Sequence, residues 1–165
     1  TPASATAPRR PLLWVHGEAI GPANPALKAH PTAPALFVLD ADLAPGRRRF
    51  LRECVAELPV AVREGDVAAE LLAAAGACGA DGIVTSRAVD PRFKAIARRL
   101  AAVLPLQVLE PDPFVALPLE GEGAPDLRRF SRYWRRAESL VWSGFSRADP
   151  GSAADPPASA RLPGR

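Results

Sequence analysis

The side chains equipped to act on a ligand gather where apolar runs stop. His16-Gly17 follows Leu12–Val15, and Asp40 follows Ala35–Leu39. Thr85-Ser86-Arg87 closes the run that opens at Gly82, and Glu110 follows Leu106–Leu109. Arg87 can hold a phosphate or carboxylate through two parallel N–H donors. Gly17 allows close backbone approach, and His16, Asn24, Asp40 and Ser86 supply hydrogen-bonding groups around it. The candidate ligand set is therefore His16, Gly17, Asn24, Asp40, Ser86 and Arg87. The plain alternative is a set of strand-end polar groups facing water, which every fold of this kind carries.

Other chemistries fail on inventory. Two histidines and two distant cysteines give no metal-ligand spacing. No phosphate-cradling G-x-x-x-x-G-K-[ST] motif occurs, and Gly17 with Gly21 does not make the dinucleotide fingerprint. No Ser-His-Asp or Cys-His arrangement follows from spacing, so no catalytic residue is assigned. His16 reads as a packed or hydrogen-bonded strand-end histidine rather than a base.

The elements that would position this set alternate along the chain. Runs of strand length lie at 12–16, 35–39, 60–62, 82–85 and 106–109. Between them, Val67, Ala68, Leu71, Leu72 and Ala75 recur at helical spacing, as do Phe93, Ile96, Ala97, Leu100, Val103 and Leu104. A further helix presents Phe50, Leu51, Cys54, Val55 and Leu58. Asn24 and Asp90 are N-cap acceptors, each followed by a proline suited to the first helical position. Gly79 stops the helix before the fourth strand. Short joints between strand and helix require parallel pairing with right-handed crossovers. The expectation is an α/β fold with a five-stranded parallel Rossmann-like sheet, order 3-2-1-4-5, with Trp14, Phe37, Val84 and Val108 buried. Ligands of such sheets bind where the strand order reverses. That places the expected crevice between strands one and four.

The 165 residues suffice for one core-bearing domain with tails, and the net charge of +3 is mild. Lys28 and Lys94 are the only lysines, and the arginine bias does not establish a nucleic-acid partner. Cys54 and Cys78 lie at apolar helical positions and read as buried free thiols. No run reaches the ~20 apolar residues of a membrane span, and TPASATAPRR lacks a signal-peptide apolar region. A cytoplasmic protein is expected. Residues 1–10 and 144–165 read as disordered, 11–117 as the α/β domain and 118–125 as a linker. An amphipathic helix occupies 126–143, with Phe130, Trp134, Ala137 and Val141 on one face and five arginines opposite. Its apolar stripe is expected to fold back on its own domain, leaving the arginines outward.

One block carries a family resemblance. Trp14, followed at fixed distance by Asn24-Pro25-Ala26-Leu27, is similar to the first strand and loop of the photolyase/cryptochrome N-terminal α/β domain. Asp40, Gly65-Asp66, Gly79-Ala80-Asp81 and Phe130–Arg136 extend the likeness over roughly residues 11–142. The departures are His16 and Ile20 where the family has arginines, and Ala23 where it has an acidic residue. The resemblance implies a DNA photolyase-like domain able to hold an antenna chromophore such as a flavin, deazaflavin or folate. It also implies that repair-type FAD binding and dimer reversal need a helical domain not found in this sequence. The expected function is thus a stand-alone, non-catalytic antenna-like domain. Its expected partner is a small chromophore or nucleotide, or a protein reached through the 126–143 helix, and nucleic acid is not expected for the domain alone. Two other readings remain: an enzyme of the wider nucleotide-binding α/β superfamily acting on a nucleotide, and a subunit completing a photolyase whose FAD domain lies on a separate chain.

Overall fold

Three strands whose residues are apolar on both faces belong in the middle of a two-faced sheet. β1 (Pro11–Val15), β2 (Ala35–Asp40) and β4 (Gly82–Ser86) are buried almost throughout. The computed structural model describes residues 7–113, 115, 117 and 129–147. The chain divides into two units, Thr1–Asp112 and Pro113–Arg165.

In the first unit, β3 (Ala61–Gly65) and β5 (Leu106–Leu109) flank the buried strands. The sheet is wholly parallel, in the order β3-β2-β1-β4-β5. Leu13 pairs with Ala35 on one side and with Val84 on the other. Successive residues of a strand point to opposite faces. Leu12, Trp14, Leu36, Val38 and Ile83 therefore meet α3 (Val67–Cys78) and α4 (Pro91–Ala101), through Leu71, Ala75, Phe93 and Leu100. Val15, Phe37 and Leu39 meet Leu51 and Val55 of α2 (Pro45–Val55), and Leu13 and Val84 meet Ala26 of α1 (Pro25–Ala29). Each large side chain buried this way stabilises the fold by about 1.5–3 kcal/mol.

Local sequence sets the helix ends. The side chains of Asn24, Asp66 and Asp90 accept backbone N–H groups at the starts of α1, α3 and α4. Gly79 takes φ 64° at the end of α3, where the Ala80 N–H closes on the Ala75 carbonyl at 2.9 Å. Gly82 answers a close approach: a Cβ there would lie 2.6 Å from Pro8 Cγ and 2.9 Å from the Pro105 carbonyl oxygen. Asp81, next to it, accepts the backbone N–H groups of Arg9 and Arg10 at 3.2 and 2.8 Å. Residues 8–10, expected to be disordered, are thus tied to the start of β4.

Other expectations need correction. β3 begins one residue later than its apolar run and continues through Arg63 and Glu64 to Gly65, because an edge strand need bury neither face. Glu64 takes both Arg48 and Arg52, and Arg63 pairs with Glu70, so this edge is charged. Phe50 is exposed because α2 covers the sheet with a narrower stripe than the apolar pattern suggests, and Val103 is exposed because α4 ends at Ala101, short of the expected helical run through Leu104. Val108 is half-buried on the other edge strand. Cys54 and Cys78 are free, but Cys78 is exposed near the end of α3 and Cys54 half-buried. In the second unit, α5 runs from Phe130 to Arg147, past the expected stop at Gly144. Within it, Phe130 stacks on Trp134, centroids 5.9 Å apart. The expected linker at 118–125 and the tail beyond 147 lie outside the described residues.

Candidate functional site

The carboxyl edge of the sheet collects the strand ends, the loops that follow them and the first turns of α2, α3 and α4. At the reversal point between β1 and β4, the protein's own side chains bond to one another. His16 Nε2 lies 2.9 Å from the Ser86 carbonyl oxygen, and His16 Nδ1 lies 3.3 Å from the Glu18 backbone nitrogen. A carbonyl only accepts and an amide N–H only donates, so the ring is the neutral tautomer protonated at Nε2. Burial favours the same state and holds the His16 pKa below its ordinary value, against the opposing pull of the Ser86 carbonyl and the Glu18 carboxylate.

Asn24 completes the closure. Its side chain is buried; Oδ1 accepts the N–H groups of Ala26 and Leu27 and the Ser86 hydroxyl at 2.8, 3.1 and 3.1 Å. Its amide donates to the Ala19 carbonyl at 2.7 Å. Beside it, the Thr85 hydroxyl donates to the Trp14 carbonyl at 2.7 Å. Three members of the expected ligand set, His16, Asn24 and Ser86, thus form one bracket across the β1–β4 gap. Arg87 stands apart, exposed and paired with Glu110.

The open space lies on the other side of β1. A cleft of about 190 Å³ sits over the carboxyl ends of β1 and β2, between α2 and α4. Trp14 and Phe93 form part of its apolar lining, stacked at a centroid distance of 5.0 Å and 16° between planes. The His16 ring meets Phe93 at 5.2 Å, so the bracket also forms one wall. Gly17 and Asp40 line the cleft as expected. A Cβ on Gly17 would meet only Leu51 Cδ2, at 3.6 Å, so alanine fits the fold while narrowing the space.

The arginines of the rim lie outside the expected ligand set. Arg92 pairs with Asp40 across the cleft, and Arg47 reaches it from the first turn of α2. Arg47 has no ion-pair partner among the described residues. Glu18 accepts the Val89 N–H at 3.2 Å and joins the loop after β1 to the loop after β4. The usable signal for Arg47, Arg92 and Phe93 was topological, because each lies in the first turn of a helix that starts at this edge. Chemically, the cleft pairs an aromatic, apolar floor with guanidinium groups at its mouth. Among the described residues no His/Cys/Asp/Glu cluster has the makings of a metal site, and no described helix is long and apolar enough to cross a membrane.

No protein-family model matches this chain, and no curated protein matches it.

Proposed function

We propose that the first unit is a ligand-binding α/β domain of the photolyase antenna type, which seats a small heteroaromatic ring in the cleft over β1 and β2. The observation that carries this reading is the stacked Trp14–Phe93 pair beneath a rim holding Arg47, Arg92 and Asp40. Drug-sized ligand pockets span roughly 300–1,000 Å³, and about 190 Å³ is less than that. One ring system enters, and the rest of the molecule stays at the mouth. A flavin, deazaflavin, folate or nucleotide is built this way, with a planar ring and an anionic tail suited to guanidinium donors. The bracketed His16 has both ring nitrogens committed, so its part is to shape the wall, and the reading is of binding rather than catalysis.

The test is optical. Protein purified from its own host should carry absorbance beyond its aromatic band. With Trp134 and Trp142 changed to phenylalanine, flavin mononucleotide or a folate should quench Trp14 emission saturably, and Gly17→Ala should weaken that quenching without lowering the melting temperature. A chromophore-free protein whose Trp14 emission no such compound alters would refute the reading.

A further inference from the structure

A second cleft opens at the opposite, amino-terminal edge of the sheet. It occupies about 360 Å³ and is lined by Arg9, Arg10, His30, Thr32 and Cys78, with Pro11, Pro31 and Pro34 between them. Its residues lie at the start of β1, between α1 and β2, and at the end of α3 before β4, so it is built from different segments than the cleft over β1 and β2.

The ion-pair pattern singles it out. Within residues 7–113, Arg48, Arg49, Arg52, Arg63, Arg87, Arg92 and Arg99 each face a carboxylate. Arg98 bonds the Lys94 carbonyl. Among the described arginines of this unit, only Arg9, Arg10 and Arg47 have guanidinium groups without a partner, and each lines a cleft.

No carboxylate among the described residues forms an ion pair with Arg9 or Arg10. Both Asp81 carboxylate oxygens accept the backbone N–H groups of these same residues, which fixes the backbone. The Ala75 and Gly76 carbonyls at the end of α3 accept the N–H groups of Ala80 and Gly79. The side chains of His30 and Thr32 likewise have no hydrogen-bond partner among the described residues. Proximity to the carbonyl end of α3 favours positive charge there. That accounts for the sign of the arginines, but not for a cleft that His30 and Thr32 also line.

We infer that this cleft is a second ligand site, for a small phosphomonoester anion. Two guanidinium forks match the phosphate oxygens in pairs, and Thr32 and His30 supply further donors. Three prolines stiffen the walls, so less conformational freedom is lost on binding. The volume falls within the range of small-molecule pockets, large enough for a sugar or nucleoside monophosphate.

Cys78 supplies the readout, because its thiol is free and lines the cleft. In full-length protein carrying Cys54→Ser, ribose 5-phosphate at ten times its dissociation constant should slow alkylation of Cys78 by iodoacetamide about tenfold. Ribose should give no protection, and Arg9→Gln with Arg10→Gln should abolish protection by the phosphate ester. In unaltered protein, ribose 5-phosphate should shift the backbone amide resonances of Arg10, His30 and Thr32, a measurement independent of how the variants fold. Equal protection by ribose, undiminished protection in a folded double variant, or protection only by a single-stranded oligonucleotide would overturn the assignment. So would amide shifts confined to residues outside this cleft.

Discussion

Replacing Asn24 by alanine removes four hydrogen bonds made by a single buried side chain. Two cap α1, one holds the Ser86 hydroxyl and one holds the Ala19 carbonyl. Loss of an N-cap costs about 1 kcal/mol. A buried group left without its partner costs a further ~1–3 kcal/mol, which applies in full to Ser86, whose side chain is completely buried. Ala19 is half-exposed, so its carbonyl recovers a water and adds little. The sum is about 2–4 kcal/mol, a large share of the ~5–15 kcal/mol that stabilises an ordinary domain. Equilibrium urea unfolding measures it: the midpoint should fall while the slope stays the same. Asn24→Ser keeps a capping oxygen but cannot reach both ends of the bracket, and should lose about half as much. The account fails if Asn24→Ala changes stability by less than about 1 kcal/mol. It also fails if that variant keeps wild-type stability but no longer binds a chromophore, which would make Asn24 a ligand contact.

His16 predicts a pH dependence whose sign is fixed by its depressed pKa. Between that folded-state value and the ordinary 6.5, the unfolded chain binds a proton that the folded one refuses. Stability should therefore rise with pH through that window and level off above it, with a slope of at most about 1.4 kcal/mol per pH unit from this one proton. His16→Gln should flatten the slope in urea titrations across the window; an unchanged slope refutes the neutral bracket. Asp66, held below the usual carboxylate range chiefly by its hydrogen bond from Arg99 and also by the Ala69 N–H, behaves differently. Its contribution is present above the ordinary carboxylate pKa and is lost on acidification through the lower folded value. Arg99→Gln should lessen that acid loss in thermal melts, and an unaltered acid limb would show the pair to be idle. Phe93→Ala, which unstacks Trp14, should cost about 3–5 kcal/mol in chemical denaturation. A milder loss would mean that the aromatic floor is loosely packed.

Much of the first unit follows from local rules. The apolar runs ending at His16, Asp40 and Ser86, the prolines after Asn24 and Asp90, and the glycine at 79 are short-range signals that survive folding. Short joints then allow little besides a parallel sheet in the order observed. What tertiary structure alone decided is which strand ends remain open. His16, Asn24 and Ser86 lie up to 70 residues apart in the chain, and no local pattern says that they will bond to one another. Because they do, the β1–β4 gap is bridged, and the open space falls to Trp14, Phe93, Asp40 and Arg92. The same holds for charge. The sequence contains many arginines, but whether one is neutralised depends on carboxylates brought near by folding. Glu64 reaches Arg48 and Arg52 across the β3 edge, whereas Asp81 accepts the backbone N–H groups of residues 9 and 10 and pairs with neither guanidinium group.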